Sequence, residues 1–136
     1  MGLVRDRDTA PEIVVRKAAH RLGLRFRLRG RGLPGRPDLV LPKWRTAIFV
    51  NGCYWHRHPG CKRTTIPKSN SEFWIQKFDS NVRRDAANYA RLTEMGWRVI
   101  VIWQCEVGRP PNLELATSAL RAHFVPVADL VVGYHK

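Results

Sequence analysis

The chain has 136 residues, long enough for one domain with one real core and too short for two comfortable ones. Lys and Arg number 24 against 11 Asp and Glu, a net charge of +13 at neutral pH, which favours polyanions, nucleic acid first among them, through phosphate contact and counterion release. No apolar run approaches the ~20 residues of a membrane span, and the amino terminus carries charges where a signal peptide needs an apolar stretch; no membrane partner is expected, and the expected compartment is the cytoplasm, at the nucleoid if the source is bacterial.

Thr9-Ala-Pro-Glu12 reads as a helix start, with a threonine cap, Glu12 three residues later as in a capping box, and proline in the first turn. The helix is expected to run to about Leu22 and stop at Gly23, with Val14, Ala18 and Leu22 as its apolar stripe. A basic stretch, Arg25 to Arg31, and a turn-rich segment, Gly32-Leu-Pro-Gly-Arg-Pro, lead into Asp38-Leu-Val-Leu and then Thr46-Ala-Ile-Phe-Val. These two short apolar runs around a turn predict an antiparallel strand pair. Ser71 to Gln76 suggests a short helix, and Asn81 to Met95 a longer one with Val82, Ala86, Tyr89 and Met95 near one face and Gly96 as its stop. Trp97 to Trp103 is β-branched and mostly apolar, the pattern of a strand covered on both faces, and it delivers Cys105 at its end. A last helix is expected from about Asn112 to Phe124. This order predicts a single α/β domain over residues 1–136, built on a mixed sheet flanked by helices.

Chemistry is concentrated between Cys53 and Cys61, where Cys-Tyr-Trp-His-Arg-His-Pro-Gly-Cys crowds two thiols, two imidazoles and two large rings into nine positions. Three cysteines are an odd number for disulfides, and in a reducing compartment a metal uses them better. Cys53, His58 and Cys61 have C-x4-H-x2-C spacing, and Cys105 is the remaining thiol, a Cys₃His set suited to tetrahedral structural Zn²⁺. His56 is then free for proton transfer; it is also an alternative to His58 as ligand, since only Arg57 separates them.

Acidic residues are few, so their positions matter. Asp38 opens a strand and can anchor Mg²⁺, which takes one or two carboxylates and fills its other positions with water and substrate phosphate; stabilising a Pro-Asp turn is the competing explanation. Asp85 lies on the long helix toward its buried side, with a surface pair to an arginine as its alternative. Capping accounts for Glu12. Tyr54, Trp55 and Trp74 are ordinary core residues in most proteins, but in so basic a chain they are also candidates for stacking on or wedging between bases.

Leu33-Pro-Gly-Arg-Pro-Asp38, Ile48-Phe-Val-Asn-Gly-Cys-Tyr-Trp-His56, Glu72-Phe-Trp74, Asn81-Val-Arg-Arg-Asp85 and Gly96-Trp-Arg-Val-Ile-Val-Ile-Trp-Gln-Cys105 together resemble the very short patch repair (Vsr) mismatch endonucleases, in unbroken order over about residues 8 to 106. The resemblance implies a restriction-endonuclease-like fold and Mg²⁺-dependent nicking of one DNA strand 5′ of the thymine in a T·G mismatch, the product of 5-methylcytosine deamination. It also implies that Asp38 and the backbone carbonyl of Val50 bind Mg²⁺, that His56 is the catalytic histidine, and that Glu12 and Asp85 support it. Cys53, His58, Cys61 and Cys105 match the family's zinc ligands, and Tyr54, Trp55 and Trp74 match aromatics inserted beside the mismatch. The implied partner is mismatched double-stranded DNA, met by a monomer, with a mismatch-repair protein as a candidate second partner.

Three features depart from the family pattern. Asn51 stands where well-known members have a second histidine, one extra residue precedes Cys61, and the arm before the first helix is only about eight residues. Two rival functions follow from the same residues: a non-catalytic, zinc-stabilised DNA-binding protein, and a restriction-type nuclease with another target.

Overall fold

A computed structural model describes residues 9–30 and 32–124; the amino-terminal arm, Arg31 and the last dozen residues lie outside them. Helix α1 spans Ala10–Arg21, with Thr9 Oγ1 accepting the Glu12 N–H and Pro11 in the first turn, as the local signals require. It ends where Gly23 takes a φ of +76°, which lets the Leu24 N–H reach the Ala19 carbonyl and the Gly23 N–H reach that of His20. These paired bonds satisfy carbonyls that a helix end otherwise leaves bare.

Four strands follow: β1 (Arg27–Leu28), β2 (Leu39–Leu41), β3 (Thr46–Asn51) and β4 (Arg98–Trp103), in the sheet order β1-β2-β3-β4. β1 and β3 both pair antiparallel with β2, while β4 joins β3 in parallel, so the sheet is mixed. The expected β2–β3 pair is present; β1 is too short to leave a readable sequence pattern. A single 3₁₀ turn, Pro42–Trp44, links β2 to β3.

The largest departure from expectation is helix α2, one element from Ser71 to Glu94 rather than two. Lys77-Phe-Asp-Ser80 contains no glycine or proline to break it, Phe78 is buried, and Asp79 pairs with Arg83 one turn on at 2.6 Å. Its inward face also differs from the expected one. Val82 and Met95 are exposed, and the buried positions are Phe78, Asn81 and Leu92, with Asp85, Asn88 and Tyr89 half-buried along the same side. That stripe has helical spacing but is largely polar, which hides it from a hydrophobicity pattern. Gly96, with a φ of +90°, ends α2 as expected; the Trp97 N–H returns to the Leu92 carbonyl and the Gly96 N–H to that of Thr93.

After β4 comes a short helix that the sequence did not suggest, α3 (Gln104–Val107), and then α4 (Leu113–Arg121), capped by Asn112 and shorter than expected at its far end. Cys105 therefore sits on α3, just past the strand. Alternation along the strands sends Ile48, Ile100 and Ile102 to one face, where α1, α3 and α4 cover them through Val15, Ala18, Val107, Ala116 and Leu120. Ala47, Phe49, Val99 and Val101 point to the other face, against Leu92 and Tyr89 of α2. β4 is thus covered on both faces.

Candidate functional site

Asn51 and Trp103 are register partners at the ends of the parallel pair β3–β4, so the chain leaves both strands at neighbouring points. Cys53 and Cys105 consequently arise side by side. The Cys105 N–H donates to Cys53 Sγ at 3.4 Å, and Cys105 Sγ lies 3.4 Å from His58 Nδ1. Two tight turns bring in the rest: the His58 N–H bonds the Cys53 carbonyl and the Cys61 N–H bonds that of His58. The ligand atoms of Cys53, His58, Cys61 and Cys105 all lie within 4.8 Å of one another. His58, not His56, is the histidine among the thiols, its ring stacked on Trp103 at 4.3 Å.

This donor set fits a metal ion. Ligands about 2.0–2.3 Å from one tetrahedral ion stand roughly 3.3–3.8 Å apart, a short closure from the present spacing. A hydrogen bond from the Arg63 N–H draws the Cys61 thiol below the ordinary thiol range, while burial and then the neighbouring sulfurs push Cys105 up to about 11. Thiolates so close oppose one another's ionisation unless a cation stands among them. Arg57 ties the loop together, donating to the carbonyls of Tyr54 at 3.1 Å and Thr64 at 2.8 Å, with its guanidinium 3.9 Å over the Phe78 ring.

Beside the loop, on the α2 face of the sheet, an open cleft is lined by Glu12, Asp38, Val50, Asn51, His56 and Asp85, with Arg36, Arg84, Asn88 and Tyr89 completing its wall. Asp38 directly precedes β2, and its N–H bonds the Ile48 carbonyl. Its carboxylate Oδ2 accepts the Val50 N–H at 2.7 Å, which ties it to β3. Burial pushes the Asp38 carboxyl up to about 7; Glu12 adds to the rise, while the Val50 hydrogen bond, His56 and Arg16 oppose it. Desolvation with a second carboxylate nearby favours either a proton or a cation there. Glu12 is buried at the start of α1, 3.6 Å from Arg16, and takes a bond from Thr9 Oγ1 at 3.2 Å while also facing the cleft. The turn before Asp38 needs Gly35: its φ is +75°, and an added Cβ would stand 3.1 Å from Asn88 and 3.2 Å from Phe49.

His56 hangs from the loop, with its N–H on the Gly52 carbonyl, and Asn81 Nδ2 holds the adjacent Trp55 carbonyl at 3.2 Å. Its Nδ1 lies 2.6 Å from Asp85 Oδ2 on α2. Asp85 is therefore not an arginine's surface partner but the group facing this imidazole. With Nδ1 hydrogen-bonded to a carboxylate, the ring's other nitrogen is the one left to take a proton. A helix with carboxylate and amide side chains at Asn81, Asp85 and Asn88, one face at helical spacing, was the available sign of this arrangement. Tyr89, Arg36 and Arg84 left no comparable sign.

Tyr54, Trp55 and Trp74 come together around buried Phe78: Tyr54 lies 5.2 Å from Phe78 and 5.1 Å from Trp55, and Trp74 lies 5.8 Å from Phe78. The cluster is part core and part surface. Trp55 is 37% exposed, and Phe73, which the sequence reading passed over, is 59% exposed and packs on Trp74 at 5.2 Å.

Residues 1–63 match the family profile described as DNA mismatch endonuclease Vsr. Among its relatives, the type II nicking enzyme V.XorIIP of Xanthomonas oryzae pv. oryzae is 47% identical over 114 residues, covering 84% of this chain and 83% of the relative. The type II nicking enzyme V.NmeAIP of Neisseria meningitidis is 40% identical, covering 76% and 74% respectively. The DNA mismatch endonuclease Vsr of Escherichia coli is 42% identical, covering 77% of this chain and 67% of its own length.

Proposed function

The chain belongs to the Vsr family of DNA mismatch endonucleases, and from that membership we propose that it nicks one strand of duplex DNA 5′ of the thymine in a T·G mismatch, the lesion left when 5-methylcytosine deaminates. The observation that carries the hydrolytic reading is the His56–Asp85 contact of 2.6 Å facing the same cleft as Asp38. A purely structural histidine has no need of a carboxylate partner at the mouth of an acidic cleft, and this weighs against a non-catalytic DNA-binding protein.

In this reading Asp38 and the Val50 carbonyl would hold Mg²⁺, which would supply polarisation of the scissile phosphate and stabilisation of the departing oxygen. The Val50 N–H fixes one Asp38 oxygen and leaves the other for the cation. Asp85 accepts a hydrogen bond from His56 Nδ1–H and so fixes the tautomer and orientation of the ring, leaving Nε2 to draw the proton from the attacking water. Glu12 would add negative charge near Asp38, while Arg36 and Arg84 would meet the phosphate. Cys53, His58, Cys61 and Cys105 hold a structural Zn²⁺ that locks the loop bearing His56 to the end of β4.

The net charge of +13 supplies phosphate affinity without regard to sequence. Tyr54, Trp55 and Trp74 enter the base stack beside the mismatch, where unstacking costs least. The protein acts as a monomer where DNA is found in the cytoplasm; among the described residues no helix is long and apolar enough to cross a membrane.

The test is nicking of a panel of duplexes, T·G and the other mismatches beside matched controls, with and without Mg²⁺. Cleavage confined to the T·G duplex and dependent on Mg²⁺ is expected. Efficient cutting of a matched sequence would favour a restriction-type target, and no cutting of any duplex would defeat the hydrolytic reading.

A further inference from the structure

Tyr89 lies one helical turn beyond Asp85 on α2, so the two side chains leave the helix on the same side and both line the cleft. Its ring is fixed edge-on against Phe49, with centroids 5.0 Å apart and planes at 60°. Its hydroxyl oxygen accepts the Asn51 Nδ2–H at 2.8 Å, and Asn51 itself is buried at the end of β3. A phenol hydroxyl has one proton to give and lone pairs to receive. Asn51 occupies a lone pair, and among the described residues no acceptor takes the proton.

We propose that the Tyr89 hydroxyl donates a hydrogen bond to a non-bridging oxygen of the phosphate being cut, with the Asn51 amide setting the direction of that donation. The proposal rests on the hydrolytic reading of the cleft and adds to it a catalytic residue that touches the substrate. The need is electrostatic. Glu12, Asp38 and Asp85 line the same cleft, and three carboxylates repel an incoming phosphate and oppose the charge that builds on its oxygens. Arg36 and Arg84 offset this at the rim. A neutral donor held by a helix and a strand adds stabilisation where charge develops, at no reorganisation cost. Burial, with the neighbouring Asp85 and Asp38 charges, pushes the hydroxyl up to about 12, so it stays a protonated donor throughout the working range. Asn51, which does not titrate, keeps the same orientation across that range.

The test is single-turnover nicking of a T·G duplex by the full chain with Mg²⁺, enzyme in excess. Tyr89→Phe keeps the ring and its packing and removes only the hydroxyl. It is expected to slow nicking about 10- to 100-fold, with duplex affinity within about two-fold of the parent and a melting temperature lower by only a few degrees, since the buried Asn51 amide loses its acceptor. Asn51→Ala is expected to slow nicking less, and the double variant no more than Tyr89→Phe alone, because both act through one hydrogen bond. Phosphorothioates at the scissile position separate contact from scaffolding. The diastereomer with sulfur at the oxygen facing Tyr89 is expected to slow the parent more than it slows Tyr89→Phe, so that the preference between diastereomers shifts in the variant.

Parent-like nicking by Tyr89→Phe, an unaltered diastereomer preference, or full additivity with Asn51→Ala would each overturn the proposal. His56→Ala, run alongside, identifies which idea has failed. If it is inactive while Tyr89→Phe keeps the parent rate, only the tyrosine contact is wrong; if it also nicks at the parent rate, the assignment of the chemistry to this cleft falls and the proposal with it.

Discussion

The two faces of the sheet are made differently. Against α1, α3 and α4 lies an apolar core that includes, among the described residues, Val15, Leu39, Leu41, Ile48, Ile100, Ile102 and Leu120. Between the sheet and α2 the buried apolar cluster among the described residues is small, Ala47 and Phe49 against Leu92, and beside it the interface opens into a cleft walled by carboxylates, amides and arginines. A carboxyl pushed up to about 7, as Asp38 is, is a local cost to folding at neutral pH. The first face makes that cost tolerable. On the proposed function, stability and chemistry are divided between two sides of one four-stranded sheet, and substitutions on each side are expected to fail in different ways.

The largest contrast is in turnover. Asp38→Ala and His56→Ala are each expected to reduce single-turnover nicking by on the order of 10⁴-fold, roughly 5.5 kcal/mol in the barrier, with the fold and mismatch binding retained. Near-parental rates in either would break the assignment of chemistry to the α2 face. The thiol cluster belongs to stability in this division although it borders the cleft. Cys105→Ser is expected to cost about 4–5 kcal/mol of folding stability, with about one equivalent of zinc in the parent and little in the variant by metal analysis. Unaltered stability in a variant without zinc would remove the structural role.

On the packed face, Leu120→Ala is expected to lose about 2–5 kcal/mol in urea titrations, and nicking by the molecules that remain folded should be unchanged. A specific loss of turnover would show that the faces are coupled. Trp55→Ala and Trp74→Ala are expected to weaken T·G duplex binding by about 1–3 kcal/mol and matched-duplex binding by less. Equal losses on both duplexes, with a lowered melting temperature, would assign these rings to packing around Phe78 instead.

The smallest effect is a pH dependence. In the metal-free protein, between the ordinary carboxylate range and about pH 7, the native state keeps a proton on Asp38 that the unfolded chain has released. Stability from this group therefore falls as pH rises through that window. Asp38→Asn is expected to remove that slope and to melt higher than the metal-free parent at pH 8. Because the cation competes with the proton, apparent Mg²⁺ affinity is expected to weaken about tenfold per pH unit below roughly 7. A Mg²⁺ affinity independent of pH would mean that the cation binds elsewhere.

The elements best read from sequence were those with local signals. Thr9 with Glu12 marked the start of α1, Gly23 and Gly96 marked helix ends, a short apolar run beside a turn marked β3, and a β-branched, mostly apolar run marked β4. α2 was misread because its inward stripe of Asn81, Asp85 and Asn88 serves the cleft, and polar residues turned inward look like an exposed face. β1 and α3 escaped because two- and four-residue elements have no period of their own; pairing with β2 holds the first in place, and packing against α4 and β4 the second.

Sequence by itself determined the residue types and their local spacing: the C-x4-H-x2-C segment, the strand that delivers Cys105, the Pro-Asp turn, the excess of positive charge and, through motif resemblance, the family. Which histidine meets the thiols and which meets Asp85 was open in the sequence, since a single residue separates His56 from His58. That choice belongs to the tertiary structure. It follows from the parallel register of Asn51 with Trp103, which brings Cys105 beside Cys53, and from the unbroken course of α2, which carries Asp85 to His56 and Tyr89 to Asn51. Those partners lie about 30 to 50 positions apart along the chain, and contacts at that separation are set by how a sheet and a helix pack, a property no local window of residues contains.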